Sequence, residues 1–206
     1  MTRLIGVDPG SHKTGWGIID VVDAGGASDG SRRGGTRLEH VDNGVLFLDD
    51  DRSLTIRLVD LCHRLRDVLV RYRPDAAAVE DVFVQRGARS ALILGQARGA
   101  ALATLGLFGL SVTSIPTSQV KLRVAGRGRA EKAQVAEMVR ALLGLPEVPF
   151  EDAADALAVA ISVASVPKVL EPHDAVVAGL SSSSSSKGRR GGRAALADLA
   201  RAQGKA

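Results

Sequence analysis

At 206 residues the chain can hold one domain of ordinary size plus a tail, enough to bury a substantial core and too little for a large multidomain enzyme. A hydrophobic fraction of 45% with only 3% aromatics means a core of Ala, Val, Leu and Ile, so an exposed Phe or Tyr needs a reason. The lone Cys62 excludes an intrachain disulfide and zinc clusters of several thiolates, and in its helical pattern it reads as a small core residue.

Residues 3–8, RLIGVD, read as a buried strand ending in an acid, and residues 14–20, TGWGIID, as its hairpin partner across the turn PGSHK. Residues 24–36, AGGASDGSRRGGT, form a Gly/Ser-rich loop before a third strand near Leu38–Leu48. Ser53–Tyr72 spaces Leu54, Leu58, Leu61, Leu65, Val68 and Leu69 as a helix does, with Ser53 as N-cap and Pro74 as its stop. Asp75–Phe83, DAAAVEDVF, is a small-residue strand again ending in acids.

Ala88–Phe108 is a helix apolar on most faces, so it calls for cover on more than one side, which a partner subunit could supply. A fifth strand at Ser111–Ile115 and helices at Glu131–Leu143 and Asp152–Val163 complete residues 1–166 as an α/β domain with a mixed five-stranded sheet flanked by helices. Residues 167–206 are low-complexity, serine-rich and basic, and read as a disordered tail. The N-terminal apolar run is too short for a signal peptide and the longest apolar stretch, 99–112, is shorter than the roughly 18 residues that span a bilayer, so the cytoplasm is expected and a membrane is not.

The net charge of +4 divides unevenly: residues 1–166 balance 20 Lys+Arg against 20 Asp+Glu, while 167–206 hold 7 against 3. Residues 82–140 carry 9 basic and 2 acidic side chains, so one part of the domain can attract phosphates while another gathers carboxylates. Asp8 and Glu80 stand at the C-terminal ends of two strands, where α/β sheets place their ligand sites. Asp152 and Asp155, three residues apart, share one face of a helix. Should the four converge roughly 5 Å apart, they would repel by about 3 kcal/mol per pair, so they must take up protons or cations. Oxygen-only donors select Mg2+ or Mn2+, and two such ions are the usual device for in-line phosphodiester hydrolysis. Singly, Asp152 could equally be a helix cap and Asp8 a turn former.

The segments IGVDPGSHKTGWG, VEDVFV, LGQARG, QVKLRVAGRGRAEKAQV and DAADALAVA resemble, in order and spacing, the sequence blocks of the RuvC family of Holliday junction resolvases, over roughly residues 3–164. The resemblance implies an RNase H-like fold, a homodimer, divalent metal, and paired symmetric nicks across a four-way DNA junction in recombination and repair. It puts the catalytic, metal-binding acids at Asp8, Glu80, Asp152 and Asp155, and the RuvA and RuvB branch-migration proteins among the expected partners. Some members of the family carry His for the last acid; Asp155 keeps this site all-oxygen.

The resemblance also makes Lys121 and Lys132 basic groups beside the strand being cut, Lys132 among the catalytic groups. It places Phe83 near the junction crossover, where the ring can stack on an unpaired base. Gly126 and Gly128 open a turn that could seat a phosphate before the helix that starts near Lys132. Arg86, Arg89, Arg98, Arg123, Arg127 and Arg129 form a basic territory assigned collectively to phosphate contacts. Three other readings stay open. Asp8, Gly10 and Gly15 fit the first phosphate loop of sugar-kinase and actin-like phosphotransferases; a related nuclease could act on RNA; and a non-enzymatic protein could bridge junctions.

Overall fold

Along β1 (Thr2–Asp8) the side chains alternate: Leu4 packs with Ile19, Val21 and the Ala-rich last helix, while Ile5 and Val7 pack with Trp16, Leu61 and Leu65. A strand apolar on both faces needs cover on both, and two hydrophobic clusters, one on each side of a sheet, provide it. The computed structural model describes residues 1–23, 36–81 and 87–164. The loop expected from residue 24 and the tail from 167 lie outside them.

β1 pairs antiparallel with β2 (Lys13–Asp23), which pairs antiparallel with β3 (Thr36–Phe47). On its other edge β1 pairs parallel with β4 (Ala76–Asp81), and β4 parallel with β5 (Ser111–Pro116), so the five strands run in the order β3-β2-β1-β4-β5. The expected mixed five-stranded sheet is thus present. Helices α1 (Leu54–Tyr72) and α2 (Ala88–Leu107) cover one face; α3 (Thr117–Ala125), α4 (Lys132–Leu143) and α5 (Glu151–Ala164) cover the other.

Ser53 caps α1 as expected, its hydroxyl accepting from the Ile56 amide at 3.5 Å. The helix ends through Arg73, in the left-handed region at φ 48, whose amide donates to Leu69 O; Pro74 only follows that turn. Helix α3 was not anticipated. It has nine residues with two buried apolar side chains, Val120 and Val124, too few for a periodic pattern to stand out. Its one sequence mark is Gly126, left-handed at φ 72, in the position that commonly ends a helix.

Contrary to the expectation from apolar run length, α2 is long and apolar enough by composition to cross a bilayer. Its packing is that of a core helix on one side: Ala97, Ala101 and Leu105 are fully buried in the cluster shared with α1, and Arg98 is held by β4. The sequence reading missed this because Arg89 and Arg98 interrupt the run without ending the helix.

The seat of α5 is built from glycines. Side chains at Gly6, Gly15 and Gly17 would point at α5, and an added Cβ would fall 2.1 Å from Ala156 O, 1.9 Å from Asp152 O and 2.6 Å from Leu157 Cδ2. With alanines at most of its own contact positions, the helix lies backbone to backbone on β1 and β2. Gly6→Ala must displace backbone rather than a pliable side chain, and is expected to cost about 3 kcal/mol or more. The check is a urea unfolding midpoint that falls at constant slope; a wild-type midpoint would mean that α5 does not rest on β1.

Candidate active site

Asp8 follows Val7, which pairs with Val79 of β4, so register puts Asp8 beside Glu80. Alternation turns both toward α5, as it turns Gly6 and Ala78, and sends the next acid, Asp81, toward α2. Across from them stands Asp155 in the second turn of α5. The three carboxylates line a cleft of about 240 Å³ together with Thr117, Val120, Lys121, Lys132, Val135 and Ala158.

Asp152 is half-buried one turn earlier on α5 and does not line that cleft; its backbone oxygen rests over Gly15, the residue paired with Asp8. It is still near enough for its charge to raise the proton affinity of Asp155. Lys132 is the first residue of α4, and its Nζ donates to Glu151 Oε1 and Asp155 Oδ2, both at 3.0 Å. Lys121 reaches the cleft from α3.

The charges are poorly compensated. Burial first, then the charges of Glu80 and Asp155 and a hydrogen bond with Glu80, push the Asp8 carboxyl up to about 8, against a weaker opposing pull from Lys132. Burial also raises Asp155, although the Lys132 ammonium opposes it. For Lys132 burial works downward and is outweighed by the hydrogen bonds to Glu151 and Asp155, so its pKa is raised. Exposed Glu151 is lowered by that same ammonium.

These residues suit a hard cation chemically: the donors are all oxygen, and a divalent charge would offset the burial and the neighbouring charges that raise Asp8. As they stand, no group of three His, Cys, Asp or Glu side chains among the described residues is arranged to hold an ion. Lys132 occupies one lobe of Asp155, so cation uptake requires these side chains to readjust.

Around the cleft the basic residues divide. Arg98 is committed internally, donating to Glu80 O at 3.1 Å, Asp81 Oδ1 at 2.5 Å and Ser114 Oγ at 2.6 Å. Arg123 donates to Ser162 O at 3.1 Å. Both are thus engaged within the fold, by a carbonyl, a carboxylate or a hydroxyl distant in sequence, and so stand apart from the basic territory expected to meet phosphates. Arg89, Arg127 and Arg129 are exposed and outside the cleft lining. Phe83 and Arg86 fall outside the described residues. At the start of α4 the Glu131 amide donates to Gln134 Oε1 at 3.2 Å and the Gln134 amide donates to Glu131 O at 3.1 Å. Glu151 and Thr117 were not singled out from sequence; the position of Glu151, immediately before the DAAD acids, is the only signal that could have found it.

The family profile described as "Crossover junction endodeoxyribonuclease RuvC" matches residues 4–163. A protein of that description from Citrifermentans bemidjiense is 49% identical over 158 residues, 77% of this chain and 89% of that one. Among solved structures, Thermus thermophilus RuvC aligns with TM-score 0.67 at 34% identity, over 79% of this chain and 93% of that one. The same protein in complex with Holliday junction substrate aligns with TM-score 0.67 at 31% identity, over 79% and 92%.

A proton that Asp8 keeps to about pH 8 in the fold, but loses near 4 in the unfolded chain, makes metal-free stability fall as pH rises through that window. Asp8→Asn removes the group. In EDTA, the wild type should lose more stability between pH 5 and 8 than the variant, measured by urea unfolding at each pH; equal losses would show that Asp8 is ionised throughout.

Proposed function

The chain belongs to the RuvC family of crossover junction endodeoxyribonucleases and is thus a Holliday junction resolvase, and from that premise we propose that it cuts DNA at the cleft where β1, β4 and α5 meet. The family is one of metal-dependent DNA hydrolases. The observation that carries the assignment of the site is Asp8 beside Glu80 and across from Asp155, three acids in one cleft with, among the described residues, one cation bonded to them, Lys132.

In this reading Asp8, Glu80, Asp152 and Asp155 would hold two ions, Mg2+ with Mn2+ able to replace it. Bound divalent ions would supply Lewis acidity toward the phosphodiester and a water of lowered pKa. The chain's own groups do the rest. Lys121 and Lys132 draw the scissile phosphate toward the acids, and Lys132 can turn from Asp155 to it without leaving the cleft. Val120, Val135 and Ala158 wall the site with apolar surface, which strengthens each of these charge interactions. Phe83 is assigned stacking on an unpaired base, and Arg86, Arg89, Arg127 and Arg129 contacts to the junction backbone.

Paired nicks need two sites, and α2 leaves Leu92 and Leu107 63% and 84% exposed, which favours a homodimer. Residues 1–166 would form the nuclease domain, and the basic tail from 167 a weak contact to DNA or to RuvA and RuvB.

Asp8→Asn keeps the shape of the side chain and removes a ligand charge. Junction binding should survive while cleavage of a synthetic four-way junction in Mg2+ falls by at least about a hundredfold, some 2.7 kcal/mol of transition-state stabilisation; near wild-type nicking would sink the site. Light scattering at micromolar concentration should give about twice the 21.4 kDa chain mass. A strict monomer with and without junction DNA would remove the dimer.

A further inference from the structure

The chain has one Trp, one Tyr and four Phe. Trp16 and Tyr72 pack together at 5.6 Å. Phe47 and Phe150 instead stand in water, 52% and 57% exposed, yet they face each other edge to face with centroids 6.3 Å apart. Lys13 Nζ lies 5.5 Å from the centroid of each ring. A protein so poor in aromatics has placed two of them outside its core, against a cation, from three distant segments.

The placement is fixed by backbone. Lys13 and Phe47 are register partners at the end of the β2–β3 ladder, and Phe150 O accepts from the Ala154 amide at 2.8 Å, tying that residue to the first turn of α5. It is also next to the acids. Phe150 precedes Asp152 by two residues, and Lys13 precedes by two the Gly15 that pairs with Asp8. From strand geometry the Lys13 and Asp8 Cα atoms are roughly 8 Å apart. The strand order carries this patch from the acids toward β3, whereas Lys121 lies toward β5.

We propose that Phe47, Phe150 and Lys13 form a stacking platform for one unpaired nucleobase of the DNA strand that enters the cleft, with Lys13 contacting that nucleotide's phosphate. Every base has a π face, so rings held beside a cation bind single strands with little sequence preference. An ammonium already resting on the rings can move to a phosphate while a base takes its place. A protein docking patch would not need the lysine, and a packing role would not leave both rings more than half in water. The proposal rests on the resolvase reading, which supplies the strand.

The test uses the full chain in EDTA, so that nothing is cut, with two probes: a four-way junction carrying 2-aminopurine beside the expected cut sites, and an oligo-dT single strand. Phe150→Ala and Phe47→Ala should each weaken binding of both probes by about tenfold and reduce quenching of 2-aminopurine, while Phe150→Trp retains both. Lys13→Gln should lower the salt slope for oligo-dT by about 0.7. Wild-type affinity and quenching in both alanine variants would overturn the platform. So would a Phe150→Leu variant that binds as the wild type does, or a fall in melting temperature with binding per folded molecule unchanged. If the wild type holds four-way junctions no better than linear duplex, the resolvase reading fails, yet a tenfold loss of oligo-dT binding in Phe150→Ala would still uphold the platform.

Discussion

The site depends on how closely α5 can approach the sheet. At Gly6 and Gly15 the carbonyl oxygens of Ala156 and Asp152 occupy the space a Cβ would need. No larger residue at these positions lets the helix backbone touch the strands, and without that contact Asp155 could not face Asp8 and Glu80 across one narrow cleft. The alanines of α5 serve the same purpose from the other side, burying Ala153, Ala154, Ala156, Ala158 and Ala160 almost completely. Close approach is achieved with small residues, at the expense of apolar area per residue that larger side chains would have buried.

That geometry concentrates negative charge that the surroundings only partly neutralise. Asp8 responds by holding a proton well above the ordinary carboxylate range, and Lys132 by dividing itself between Asp155 and Glu151. Glu151, exposed at the mouth, offers the lysine an anchor that does not depend on the buried acid. Oxygen donors crowded in this way are the kind that a hard divalent cation would offset, which is the use that the proposed function makes of them.

Much of this was legible in the sequence. The short apolar runs in RLIGVD and AAAVED identified two strands and put an acid at the end of each, and the spacing of Asp152 and Asp155 put both on a helix; the sheet and its flanking helices followed. What failed did so for want of local signal. Helix α3 buries only two apolar side chains. Arg98 and Arg123 look like any surface arginine until a carbonyl or carboxylate distant in sequence claims them. The glycines of β1 and β2 read as turn and strand residues, because their purpose is a contact with a helix more than a hundred positions away. Lys13, Phe47 and Phe150 come from three segments that only the sheet register and the entry to α5 bring together.

The Arg98 guanidinium joins the backbone at Glu80, the Asp81 side chain and the Ser114 hydroxyl of the neighbouring strand. An arginine stays charged at every pH at which the fold survives, and its planar fork permits little reorientation. The protons and cations of the cleft can thus come and go on one side of β4 while a brace insensitive to them holds the other side. The strand under the acids is braced from behind by a group whose charge does not follow theirs, and side chains in the cleft can readjust over a backbone held on its other face.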